Sequence, residues 1–424
     1  MSSKSVIVFS LIFFWLSFVC LVSATPNTKW ISIFDGGKDD EAYCVVETYD
    51  GGFALAGITN SFDHSNYDFW LVKTNAIGEE QWNMTYGGSG NAIVMSMVVT
   101  DNGYALAGSI KDQSNEAWLD DKDDVWLVKT DSQGIMLWNK TYGGSDYERA
   151  KSIIASNDGG YVLSCETRSF GGGGADFWLI KTDSDGVMEW NMTYGGEENE
   201  FASSVVKTLD GGYAVTGSTI PRGEGKADFW LIKTDSQGKL QWNQTYGGVG
   251  TEYSNSMIVN EDGGYSLTGS TTSFGSGDWD VWLVKTDSDG VMEWNMTYGG
   301  EENEYGGSLV VDNNENYWIA CIQQPTVGDG HFWLLETNLT GSIQSNQTYT
   351  ISAHHSSTSI INTNNGDLAI AYSSRDSGQY RDITLIVLET VISNSIIPII
   401  LGLLVIILLI LFLVLYVKRK KYRI

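Results

Sequence analysis

The chain has 424 residues, 25 Lys+Arg against 52 Asp+Glu for a net charge of −27, 48 Gly, 4 Pro and 16 Trp. This aromatic content excludes a disordered chain, and 4 Cys cannot staple a protein of this length. The negative charge excludes the basic stripe that nucleic-acid binding requires.

The apolar run from Val6 to Val22 follows Lys4 and ends in Val22-Ser23-Ala24. It predicts a secretory signal over residues 1–24, or an uncleaved anchor; either exports the chain beyond it. Next comes Trp30-Ile31-Ser32-Ile33-Phe34, a strand-like segment with no partner nearby. A repeat then begins. A Gly-rich turn and an aromatic recur at Phe53, Tyr104, Tyr161, Tyr213, Tyr265 and Tyr317, with Leu368 in a degenerate last copy. A second marker is the apolar run around Trp70, Trp126, Trp178, Trp230, Trp282 and Trp333, ending with Ile386. A third is Trp-Asn-x-Thr-Tyr-Gly-Gly, from Trp82, Trp138, Trp190, Trp242 and Trp294, where Ser345 replaces the sixth Trp.

Within one copy, Ser203 to Thr208, Tyr213 to Ser218, Asp228 to Thr234 and Leu240 to Tyr246 read as four antiparallel strands separated by Gly/Asp turns. The third run is apolar on both faces, so neighbouring copies must cover both sides of the sheet. The pattern predicts an all-β, seven-bladed β-propeller of four-stranded antiparallel blades over 25–395. The seventh copy stops at Thr390 without a fourth strand, and the orphan strand at Trp30 is expected to supply it, closing the ring and removing open edges.

Lys181-Thr182-Asp183-Ser184-Asp185-Gly186-Val187-Met188-Glu189-Trp190 resembles the tryptophan-docking repeat of quinoprotein-type (PQQ-like) propellers, in which an Asp, a Gly four residues before the Trp and the Trp itself lock blades together. The resemblance recurs in five complete copies and covers nearly all of 30–390. The turn is one residue shorter than in that family, and the vicinal Cys pair and Cys-x-x-Cys-His site of a quinoprotein dehydrogenase are absent from the sequence. The resemblance implies the fold and not the quinone.

Residues 181–200 and 285–304 are identical, which marks recent duplication. A single site must break this symmetry, so the variable loops are the place to search. The longest, Ile110 to Asp124, carries Glu116, Trp118, Asp120, Asp121, Asp123 and Asp124, suited to a cation, a sugar or a basic partner, or simply solvated. His64, His331, His354 and His355 map to the same face on blades that a closed ring makes neighbours. No cofactor is predicted beyond a metal ion that these histidines could hold. Asp183-x-Asp185-Gly186 reads as a β-turn, since it lacks the later acidic ligand of a calcium loop. The acid pairs Glu198/Glu200 and Glu302/Glu304 are in duplicated turns and single out no pocket. Seven Asn-x-Thr sequons, at Asn83, Asn139, Asn191, Asn243, Asn295, Asn338 and Asn346, are candidate glycosylation sites.

After Cys20 leaves with the signal, Cys44, Cys165 and Cys321 remain, so at least one is unpaired. Cys165 and Cys321 stand where other copies have Gly, as small buried residues. Residues 396–417 form an uncharged apolar run long enough to span a bilayer. The basic tail 418–424 places the C-terminus in the cytoplasm and the propeller outside, at the plasma membrane. Residues 25–395 then hold 19 Lys+Arg and all 52 acids, a charge of −33. No catalytic set is recognisable. The expected role is a surface module binding a protein, glycan or ion; a polysaccharide hydrolase, a degenerate quinoprotein and a structural scaffold are the alternatives.

Overall fold

The computed structural model describes residues 26–62, 66–111, 122–220, 226–325, 330–353, 358–375 and 380–390. Each repeat folds as one four-stranded antiparallel sheet, because runs of β-branched and aromatic residues alternate with Gly/Asp turns. Blade four shows the pattern from the centre outwards: Asn199–Lys207, Tyr213–Ile220, Asp228–Thr234 and Leu240–Tyr246. Its inner strand starts earlier than the predicted Ser203, since a bulge between Ala202 and Ser204 bends the strand without ending it. The third strand is covered on both sides, as its composition demands. Phe229 and Leu231 pack with Leu267 and Trp282 of blade five, while Ile232 and Trp230 pack with Phe177 and Leu179 of blade three.

The seventh blade combines Ser359–Asn362, Leu368–Ser374 and Asp382–Glu389 with an outer strand from the other end of the chain, Asn27–Phe34. The predicted closure is therefore present. Register places Thr384 rather than Ile386 at the tryptophan position of this blade, because Leu385 pairs with Ala371 as Leu231 pairs with Thr216. The seam between blades seven and one is stitched by Ala42 N–H to Ser373 Oγ (3.0 Å) and Asp40 N–H to Arg381 O (2.8 Å).

A repeated contact locks neighbouring blades. The outer-strand Trp of one blade lies against the turn Gly of the next: Trp82 on Gly134, Trp138 on Gly186, Trp190 on Gly238, Trp242 on Gly290 and Trp294 on Gly341. Trp30 lies on Gly78 in the same way and so docks blade seven to blade one. Each turn Gly has φ between +73° and +80°, and an added Cβ would meet the indole or a neighbouring side chain at 2.3–2.7 Å. Four residues beyond the Trp, Tyr86, Tyr142, Tyr246 and Tyr298 donate their hydroxyls to the carbonyls of those glycines at 2.6–2.7 Å. Ser345 replaces Trp at the one junction where no such turn exists, because the third and outer strands of blade seven come from opposite ends of the chain.

Among the described residues no helix is long and apolar enough to cross a membrane. The predicted signal 1–24, span 396–417 and tail 418–424 lie outside them.

Gly238→Ala combines a left-handed backbone with a clash against Trp190, and is expected to destabilise the chain by about 2 kcal/mol or more. Urea unfolding of the full chain checks this: Gly211→Ala shares the positive φ but has open space above it, so it should destabilise less.

Candidate functional site

The inner strands of all seven blades line a central cavity of about 770 Å³. Its wall carries Cys44, Ser96, Ser152, Ser204, Ser256, Ser308 and Ser359, one from each blade. These hydroxyls are structural where their bonds are seen: Ser96, Ser256 and Ser359 accept the backbone N–H of Ile153, Leu309 and Val45 on the following blade at 3.2–3.3 Å. Burial pushes the Cys44 thiol up to about 11, which removes it as a nucleophile at neutral pH. Cys44, Cys165 and Cys321 are all free thiols, the last two buried against Trp178 and Trp333 at the predicted glycine position.

Towards the face that bears the long loops, the sevenfold pattern breaks. On blades five and six, Tyr253 stacks on Trp279 (5.8 Å, 17°), and Trp279 meets Tyr305 at 6.0 Å; Phe201 on blade four continues this aromatic side of the cavity. Elsewhere around the ring the lining is charged but paired. Glu41 accepts Tyr43 Oη (3.0 Å) and forms an ion pair with Arg381. Lys151 pairs with Glu166 at 3.4 Å, and Glu166 also accepts Tyr147 Oη at 3.2 Å. Arg149 and Arg168 both lie over the Tyr147 ring, at 4.9 and 4.6 Å. The cavity thus offers aromatic faces and fixed polar groups with its visible charges already compensated.

A second set of polar groups lies between blades on the same face. The third-strand Asp of one blade meets the first-strand acid of the next in five pairs: Asp124/Glu148, Asp176/Glu200, Asp228/Glu252, Asp280/Glu304 and, across the seam, Asp382/Asp40. The Tyr-Gly-Gly motif builds this arrangement. Its first Gly leaves room for the carboxylates, and its second donates N–H to the Glu, as Gly144 does to Glu148 (2.8 Å) and Gly300 to Glu304 (3.1 Å). Burial raises Asp176, Glu200, Asp228, Asp280, Glu304 and Asp40 above the ordinary carboxylate range. Asp35, Asp40 and Asp382 bring three carboxylate oxygens within 4.8 Å of one another. Glu200 and Glu304, read from the sequence beside Glu198 and Glu302, therefore face the acids of the preceding blade instead.

The opposite face carries only tight turns. Here a buried third-strand Lys reaches a turn Asp: Lys181 to Asp158 (2.7 Å), Lys233 to Asp210 (2.8 Å) and Lys285 to Asp262 (2.8 Å). The Lys hydrogen bond holds Asp210 down at about 2 and lowers Asp158 and Asp262 too. Where Asn102 replaces the Asp, burial lowers Lys129 instead.

Of the predicted site residues, Asp123 and Asp124 are strand rather than loop, paired with Lys111 and Ile110. Asp123 is held by Arg149 (2.6 Å), and Asp124 joins a junction pair. Glu116, Trp118, Asp120, Asp121, His64, His354 and His355 lie outside the described residues. His331 takes the junction Asp position of blade six, and its Nδ1 is enclosed without a partner. The turn at Asp183 is a β-turn, as its sequence predicts, with Asp183 Oδ1 accepting the N–H of Asp185 (2.9 Å) and Val187 (2.8 Å). At the sequons, Asn83, Asn139, Asn191, Asn243 and Asn295 have a structural role, since each accepts the indole N–H of a third-strand Trp at 3.0–3.2 Å. Asn338 caps a turn through Thr340 and Ser342 N–H. Neither the cavity lining nor the junction acids are singled out by loop length. The signal of the lining in the sequence is the variation among inner-strand residues from copy to copy, and that of the junction acids is the recurrence of Asp two residues before the third-strand Trp and of Glu four residues after the Gly-Gly pair.

The fold and docking geometry define a seven-bladed β-propeller of tryptophan-locked blades. No family model matches the chain. It is similar to the regulatory protein FlaEY of Caulobacter vibrioides, 24% identical over 217 residues, which is 43% of this chain and 23% of FlaEY. The match thus spans less than a quarter of that relative. Among solved structures, a protein of unknown function from Dyadobacter fermentans aligns with a TM-score of 0.50 at 11% identity, covering 86% of this chain and 99% of its own. The Pan2 WD40 domain of Neurospora crassa aligns at 0.51 and 9% identity, over 83% and 90%. BBS1N, solved in complex with ARL6DN, aligns at 0.50 and 10% identity, over 87% and 97%. At these identities the likeness is one of fold.

A carboxylate lowered in the folded state stabilises above its unfolded pKa, near 4, and that contribution disappears as pH falls through its folded value, here about 2 for Asp210. Because Asp210 is 56% exposed, its pair with Lys233 is worth under about 1 kcal/mol. Thermal melts of the full chain at low salt should show that Asp158→Asn, Asp210→Asn and Asp262→Asn together lower Tm at pH 6 and have little effect near pH 2.

Proposed function

We propose that this chain is a membrane-anchored cell-surface propeller that binds a glycan at the mouth of its central cavity. The observation that carries the reading is the aromatic side formed by Phe201, Tyr253 and Tyr305 with Trp279 behind them, within a cavity whose Glu41 and Lys151 are already ion-paired. A neutral ligand with many hydroxyls and apolar faces suits such a lining better than an ion does, because no net charge is left to attract one. Residues 1–24, the apolar span 396–417 and the basic tail 418–424 support export and anchoring with the propeller outside. The −33 charge of residues 25–395 favours solubility and disfavours anionic polymers as ligands. The sequons would add glycans of the chain's own on the outer strands, at exposed Asn139, Asn191, Asn243, Asn295 and Asn346.

A protein partner on the same face is the second reading. BBS1N, a propeller of related architecture, was solved with ARL6DN bound, and loops on a rigid scaffold serve protein contacts equally well.

Binding of the full-length chain to immobilised neutral and acidic glycans tests the proposal. Tyr305→Ala and Trp279→Ala should each weaken capture of the recognised glycan about tenfold or more, the loss of one stacked aromatic contact and its packing. Retained capture by both variants would move the site away from the cavity, and turnover of the bound glycan would replace binding with hydrolysis.

A further inference from the structure

Among the five acid pairs between blades, Asp176/Glu200 is chemically unusual. Asp176 is 1% exposed and Glu200 3%, yet no cation among the described residues pairs with either. Asp176 Oδ2 accepts Gly173 N–H at 3.3 Å, and Glu200 accepts Thr219 Oγ (3.0 Å) and Gly196 N–H (3.4 Å). Asp176 Oδ1 is fully enclosed and has no donor. It points to the same small space as Glu200 Oε2, both oxygens lying within 2.4 Å of where a Cβ on Gly195 would stand. The charged group that also faces the pair is Glu198, another acid. Two desolvated carboxylates turned towards each other, with a third nearby, repel unless a positive charge joins them.

We propose that the Asp176/Glu200 junction is a cation site, holding one hard divalent ion of the calcium type between the Asp of one blade and the acid of the next. The donors at this junction are all oxygens, which suits calcium and not a thiolate- or imidazole-seeking metal. Calcium also accepts irregular shells more readily than magnesium, and a site assembled from two separate sheets is irregular by construction. The Gly-Gly step is then explained by the space it leaves: a side chain at the first Gly would fill the place of the ion. The junction between blades one and two is an internal contrast, since Ala92 occupies the position that Glu200 has in blade four.

The test uses the full-length chain in detergent, stripped with chelator and titrated with calcium alone by equilibrium dialysis and by thermal melting. Saturable uptake of one ion per chain is expected at about 1 mM calcium or below, with a rise in Tm that magnesium does not match. Glu200→Gln should lose the bound ion and the rise; Asp176→Asn, which keeps the shape and the hydrogen-bonding capacity, serves if the first variant does not fold. Terbium luminescence excited through nearby Trp and Tyr should fall in the same variants. Absence of saturable calcium uptake would overturn the proposal. So would a Tm that climbs on acidification with no calcium response, because the pair would then share a proton instead of an ion.

Discussion

Every blade is apolar on both faces of its sheet, so none of them has a stable surface in water until a neighbour stands on each side. Residues such as Phe229, Leu231, Trp282 and Ile232 are almost completely buried only because blades are stacked around a closed circuit. At about 1.5–3 kcal/mol for each large side chain removed from water, one exposed blade face would forfeit a substantial part of a normal domain's stability. An open stack leaves two such faces, and a ring leaves none. The N-terminal strand is therefore the piece that the remaining contacts presuppose: Trp30 on Gly78, Phe34 in the core shared with Ala369 and Leu385, and Lys29 paired with Asp367 all secure it.

The same packing rule accounts for the small residues. Glycine stands where a flat indole must touch backbone, where a tyrosine must reach a carbonyl, and where two acids must approach one another. Ser345 shows the rule by exception, since its facing turn is replaced by a chain break and a tryptophan there would have nothing to dock on. Asparagine in the outer strand obeys a similar logic: its carbonyl receives an indole N–H that would otherwise compete for a partner.

Against this regular frame, the cavity lining stands out for its irregularity. Inner-strand positions that are equivalent by register hold Glu41, Arg149, Phe201, Tyr253 and Tyr305 in different blades. The ring converts these differences into a surface with an aromatic side and a charged, self-compensated side. It also moves part of the strong acidity inside, between blades, where the charge count alone would have placed it in solvent.

Period, strand number and the pairing of the first strand with the last were legible in the amino-acid sequence, because covering two apolar faces and satisfying every strand edge leaves one closed arrangement of seven units. The tryptophan-docking contact was legible too, through the fixed step from Gly186 to Trp190 and its copies. What only the tertiary structure decided was which side chains from different repeats meet. Asp176 and Glu200 are 24 residues apart and belong to different sheets, and Asp40 and Asp382 stand at opposite ends of the chain. Nothing local couples such residues; the rotation from one blade to the next does, and that rotation is set by how whole sheets pack and not by any single segment.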